Sequence, residues 1–151
     1  MKKTRLDANF IWGVSCSAYQ IEGAESEDGR DDSILDSKFT KGKVLGDMNG
    51  KIACDHYHRY KEDIALLKEL GIKNYRFSIS WTRIFRDGIG EVNLKGVEFY
   101  KDLVNRLIAA DITPWVTLFH WDLPYKLYEK GGYLNPEISD WFAIYAKSIV
   151  D

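Results

Sequence analysis

Apolar residues in this chain follow two rhythms that alternate along it. Phe10, Ile11, Trp12, Gly13 and Val14 form a short run that reads as a buried strand. Tyr57, Tyr60, Ile64, Leu67 and Leu70 then recur at spacings of three and four, which marks one face of a helix. Asp55 stands where an N-cap belongs, and Gly71 where the helix should stop. Residues 74–81 alternate strictly, with Tyr75, Phe77, Ile79 and Trp81 to one side and Arg76, Ser78 and Ser80 to the other, as a strand requires. A second helical stripe carries Leu94, Val97, Tyr100, Leu103, Val104, Leu107 and Ile108. Thr113 and Pro114 open a third strand, whose apolar run from Trp115 to Phe119 stops at His120, Trp121 and Asp122. For the last helix Asn135 is a good N-cap and Pro136 suits the first turn. Ile138, Trp141, Phe142, Tyr145, Ile149 and Val150 line its apolar face.

The order is therefore strand, long loop, helix, strand, helix, strand, helix. The loop runs from Glu22 to about Lys51 and is polar and glycine-containing. Helices alternating with short buried strands imply parallel βα units, so the fold class is α/β. An open doubly wound sheet and part of a (β/α)8 barrel both fit. There is no internal repeat beyond the βα alternation.

Composition narrows the function classes. The 151 residues carry a net charge of −2, which gives no electrostatic case for nucleic acid or an anionic membrane as partner. No run approaches the length of a membrane span. The N-terminal residues are basic but lack an uninterrupted apolar h-region, so a cytoplasmic enzyme or binding domain is the expectation. Cys16 and Cys54 form no metal-type spacing and no disulfide framework, and neither metal nor cofactor is expected. His56 and His58 resemble a metal pair only superficially, because residues two apart on a helix point to different faces. Aromatic residues make up 14%, which suits sugar binding and ordinary cores alike.

Both candidate architectures place ligands at the carboxyl ends of their strands. The first strand is followed by Ser-Cys-Ser-Ala-Tyr-Gln-Ile-Glu-Gly-Ala, which holds no glycine-rich phosphate loop. It delivers Gln20 and Glu22. The second carries Arg76, then Ser80 and Trp81, and the third delivers His120, Trp121 and Asp122. An amide, a guanidinium, an imidazole and indoles would converge at one rim, able to hydrogen-bond hydroxyls and stack on a sugar face.

These residues sit in blocks that carry a resemblance. FIWGVSCSAYQIEGA (10–24), CDHYHRYKEDIALLKELGIKNYRFSISWTRIF (54–85) and PWVTLFHWDLP (114–124) resemble, in order, the blocks of family 1 glycoside hydrolases. FHWDLP is similar to the β-glucosidase branch rather than the branch acting on 6-phosphosugars. The resemblance implies a (β/α)8 TIM barrel and retaining hydrolysis of terminal β-D-glucosyl residues. It implies that Gln20, His120 and Trp121 bind the non-reducing glucose of a β-glucoside or oligosaccharide. It also implies that Arg76 lies beside the nucleophilic carboxylate and keeps it ionised. Glu22 has no catalytic counterpart in the family and reads as structural. Leu35, Lys38 and Arg86 depart from the family pattern, all in loops.

Retaining glycosidases need two carboxylates about 5–5.5 Å apart across the scissile bond. The resemblance assigns them to the ends of the fourth and seventh strands, the first in an Asn-Glu-Pro block. Neither block occurs here, so no catalytic residue is expected in this chain. A closed barrel takes about 250 residues, so residues 1–151 are expected to be the N-terminal portion of a single barrel domain, about three of its βα units. The C-terminal portion of the barrel is then the expected partner, and the chain alone is expected to be inactive. The alternatives are a stand-alone inactive protein with at most weak sugar binding, and an unrelated open α/β domain.

Overall fold

The computed structural model describes residues 6–36 and 49–150. The elements are β1 (Val14–Ser15), α1 (Ala18–Ile21), α2 (His56–Glu69), β2 (Asn74–Ser78), α3 (Trp81–Ile84), α4 (Leu94–Ala109), β3 (Thr113–Thr117), α5 (Tyr125–Glu129), a 3-10 turn (Gly132–Leu134) and α6 (Ile138–Val150). The strands form one parallel sheet in the order β1-β2-β3. Val14 lies opposite Tyr75, and Arg76 is flanked by Ser15 on one side and Trp115 on the other. Residues 37–48, which include Lys38 and much of the expected long loop, lie outside the described residues.

The central strand is the best covered. Tyr75, Phe77 and Ile79 join Ile64 of α2, Phe99, Tyr100, Leu103 and Leu107 of α4, and Trp141 and Tyr145 of α6 in one core. Helix ends follow local chemistry. Gly71 takes a left-handed φ of 71°, its N–H donating to the Lys68 carbonyl while that of Ile72 donates to Leu67, a Schellman stop. Asp111 ends α4 in the same way with φ 61°. Asn135 caps as expected, its Oδ1 accepting the Glu137 N–H at 2.9 Å.

Three expectations need correction. The run from Phe10 to Val14 is not buried: only Val14 and Ser15 join the ladder, and Trp12 is 69% exposed, because no described element covers the outer edge of β1. The alternating stretch 74–81 is strand only as far as Ser78. Its partner β3 ends at Thr117, and the Ser80 N–H leaves the ladder to bond the Tyr100 hydroxyl at 2.8 Å, so Trp81 opens α3 instead. β3 likewise stops at Thr117, short of the end of its apolar run, and Trp115 and Val116 are exposed at its outer edge.

Gly96 shows how closely α4 approaches the chain behind it. A Cβ built there would lie 2.1 Å from the Arg83 carbonyl oxygen. Gly→Ala inside a helix ordinarily gains about 1 kcal/mol. Here the clash is with backbone, and Gly96→Ala is expected to lose about 1–3 kcal/mol instead. Chemical unfolding tests it: a midpoint equal to or above that of the parent would show that the Arg83 backbone yields freely.

Candidate functional site

The carboxyl ends of the three strands are built by cross-strand ties. Beyond β1, the Cys16 N–H donates to the Arg76 carbonyl at 3.0 Å, and the Ala18 N–H to Ser78 Oγ at 2.8 Å. These bonds set α1 against the end of β2 and leave Gln20 exposed on it. Glu22 turns the other way. It is buried, accepts from Arg83 Nε at 3.1 Å and from the Tyr100 hydroxyl at 2.5 Å, and so anchors α1 rather than serving a site. Cys16 sits beneath, with Sγ 2.8 Å from the Tyr75 hydroxyl. Burial pushes its thiol up to about 11, which rules out a thiolate at neutral pH.

Arg76 is half-buried in β2. Its Nε donates to Thr117 Oγ1 at 2.6 Å, which ties it to β3. It makes no ion pair among the described residues, so its charge is uncommitted, unlike that of Arg30 or Arg83. A cavity of about 290 Å³ lies beside it, lined by Gly13, Ser15, Asn74 and Trp115 among others. Gln20, His120 and Trp121 do not line that cavity; Arg76 sits deeper in the sheet than they do.

The third strand ends in a turn held from outside. The Tyr145 hydroxyl of α6 donates to the Leu118 carbonyl at 2.5 Å, and the Ile34 N–H to the Leu123 carbonyl at 2.9 Å. Between those ties His120 is half-buried and stacks on Trp121, ring centroids 6.2 Å apart and 22° from parallel. Trp121 is 73% exposed and takes a φ of 71°, in the left-handed region that favours glycine. Asp122 is buried, and burial first, with the Glu22 charge behind it, pushes its carboxyl up to about 7.

Of the rim residues collected from the sequence, two belong elsewhere. Trp81 lies in the core, its ring stacked on Tyr145 at 4.5 Å and its Nε1 donating to the Gly88 carbonyl. Ser80 is buried against Thr82. Both followed from extending the strand past Ser78. His56 and His58 diverge: His56 Nδ1 meets Asp63 at 2.6 Å, while the exposed His58 meets Asp55 at 2.6 Å and Glu27 at 3.0 Å. Of the departures from the family pattern, the Leu35 carbonyl accepts the Tyr19 hydroxyl, and Arg86 is exposed, 3.9 Å from Asp31. Tyr145, Ser78 and Arg83 set the rim without entering the sequence reading of it. An apolar stripe, a strand serine and a surface-type charge gave no signal of their partners.

Three parallel strands with Gln20 and the His120-Trp121 pair just past the carboxyl ends of the outer two are now in place. The sequence matches Glycosyl hydrolase family 1 over residues 2–151. The chain belongs to glycosyl hydrolase family 1. Among family relatives it is 52% identical over 150 residues to Beta-glucosidase A of Acetivibrio thermocellus, covering 99% of this chain and 34% of that protein. It is 53% identical over 143 residues to Beta-glucosidase 4 of Oryza sativa subsp. japonica, with 92% and 29% covered. The solved Family 1 b-glucosidase from Thermotoga maritima superposes with a TM-score of 0.91 at 48% identity, over 95% of this chain and 33% of that one. The chain thus spans about a third of the length of the family 1 relatives it matches. Its open three-stranded sheet corresponds to part of their TIM barrel.

Proposed function

We propose that this family 1 chain forms the glucose-recognising part of a retaining β-glucosidase, acting on terminal β-D-glucosyl residues in carbohydrate metabolism. Gln20 and His120 hydrogen-bond the sugar hydroxyls, Trp121 offers its indole to the ring, and Arg76 supports an ionised nucleophile. The observation that carries this is the uncommitted guanidinium of Arg76, set between strands whose ends present Gln20 and the His120-Trp121 pair. Relatives named β-glucosidase, and structures of the Thermotoga maritima β-glucosidase in complex with deoxynojirimycin and with noeuromycin, support the substrate class.

The acid/base and nucleophilic carboxylates come from the rest of the barrel, which is the partner in this reading. Trp12 at one sheet edge, and Trp115 and Val116 at the other, are the apolar surfaces it would cover. The cytoplasm is the proposed location.

The test is an assay on an aryl β-glucoside. The purified 151-residue chain is expected to show no turnover, and to gain it when the remaining barrel portion of the Thermotoga maritima relative is supplied. Turnover by the chain alone, abolished by a carboxylate substitution within it, would overturn the division of labour. No activity from a well-folded complex would overturn the proposal itself.

A further inference from the structure

Asp122 is the member of the His120-Trp121-Asp122 turn that the sugar-binding reading does not use. It is 1% exposed, and neither carboxyl oxygen has a hydrogen-bond partner among the described residues. The N–H groups of His120 and of Asp122 itself act on the carboxyl but stay outside hydrogen-bond geometry. The cation that reaches it is Arg30, from the loop after α1. Arg30 is already committed, with Nη2 3.0 Å from both oxygens of Asp36 and Nη1 on the Glu25 carbonyl. From the end of α1 comes the like charge of Glu22. From the 3-10 turn comes the exposed Tyr133, and from α6 the buried Tyr145, whose phenol burial keeps protonated and whose hydroxyl is spent on Leu118 and Ile79. Among the described residues the cation is occupied, Glu22 is of the wrong sign, and neither phenol bonds the carboxyl. A carboxyl so placed must be neutral or must reach water.

The chain around it is held unevenly. On the C-terminal side, Leu123 and Tyr125 are bonded to Ile34 and Asp32, and Pro124 bridges to Ser33. On the N-terminal side, β3 is paired through Thr117 and Leu118 is held by Tyr145. Among the described residues neither His120 nor Trp121 makes a backbone–backbone hydrogen bond, and Trp121 is in a left-handed conformation that a side chain disfavours. If the carboxyl is to be hydrated, this is the segment that yields.

We propose that Asp122 is a proton-gated latch for the sugar-facing turn. Neutral, it stays sealed beneath His120 and Trp121; ionised, it draws the turn open, and both residues lose their placement. The consequence for sugar recognition rests on the function proposed above, but the latch itself does not. The direction of the pH effect follows from the raised value of about 7. The folded chain keeps a proton that the unfolded chain releases near about pH 4. The stabilisation is complete below that and is lost as the pH rises through the folded value. The closed turn therefore belongs to mildly acidic pH and the open one to alkaline pH.

Carbodiimide labelling of carboxylates, read by mass spectrometry as Asp122 relative to the exposed Glu91, tests the latch on the chain as it stands. Between one pH unit below and one above the folded value, the ionised fraction rises about tenfold, and normalised labelling of Asp122 is expected to rise accordingly. Hydrogen exchange of the Ile34 amide, which donates to the Leu123 carbonyl next to Asp122, corrected for its intrinsic rate, is expected to lose protection over the same range. Asp122→Asn, neutral at every pH, is expected to hold its protection constant. The proposal is overturned if Asp122 labels as readily as Glu91 at pH 6, or stays unlabelled at pH 8. It is also overturned if protection in Asp122→Asn falls as it does in the parent. Should that variant not fold, the labelling of the parent chain decides. None of these readouts involves sugar, so a failure of the β-glucosidase reading would leave them unchanged.

Discussion

Arg83→Met is expected to destabilise the chain by about 3–5 kcal/mol, far beyond the loss of packing alone. The Arg83 side chain is 0% exposed and that of Glu22 5%, so both charges are out of water. Arg83 Nε donates to Glu22 at 3.1 Å, Nη2 reaches the Gly23 carbonyl at 3.3 Å, and the guanidinium lies 4.1 Å from the centre of the Tyr57 ring. Methionine fills much of the same space but, among the described residues, leaves the buried Glu22 carboxylate with the Tyr100 hydroxyl alone. An uncompensated buried charge is the costly outcome; an absent pair is not. Glu22→Leu combined with Arg83→Met should therefore recover most of the loss. At about 2–4 °C per kcal/mol for a chain of this size, the single variant should melt roughly 6–20 °C below the parent and the double variant close to it. A single variant within about 1 kcal/mol of the parent would show that water already reaches Glu22.

This pair also marks where sequence reading stops. Arg83 lies in a short helical segment and reads as surface charge, and its burial depends on Glu22 and Tyr100, far apart in the chain. The βα alternation, the parallel sheet and the caps at Asn135 and Gly71 were legible, because periodicity and local turn chemistry determine them. Strand limits were not. Alternation through Trp81 records burial correctly, since Trp81 lies in the core, but says nothing of whether a ladder partner continues alongside. The apolar run at Phe10–Val14 records a covering surface that residues 6–36 and 49–150 do not supply. Gln20, Arg76, His120 and Trp121 were legible as candidates only through their family blocks; each alone has an ordinary structural reading. The seal over Asp122 was invisible, because it depends on residues 32–34 pairing with residues 123–125 across the long loop.

With the remaining barrel portion supplied from the Thermotoga maritima relative, His120→Ala is expected to lower kcat/KM by roughly 30- to 150-fold, or about 2–3 kcal/mol. The size follows from the chemistry. Hydroxyl contacts in glycosidases strengthen as the ring approaches its oxocarbenium-like transition state, so a lost donor costs more there than in the ground state. The structure makes His120 a clean probe. It is half-buried at the end of β3, its ring contact is with the exposed Trp121, and the strand beneath it is held by the β2 ladder and by Tyr145. Truncation should remove the donor and leave the fold alone. Gln20→Ala, on an exposed position of α1, should act in the same direction. Arg76→Ala is less clean, since its bond to Thr117 also ties β2 to β3. His58→Ala is the control: it is an exposed histidine on α2, held by Asp55 and Glu27, and kcat/KM should stay within about twofold, as for a surface substitution. If the complemented enzyme is active and His120→Ala also stays within that range, the imidazole is no sugar ligand, and β3 ends in polar residues only because the chain must turn there.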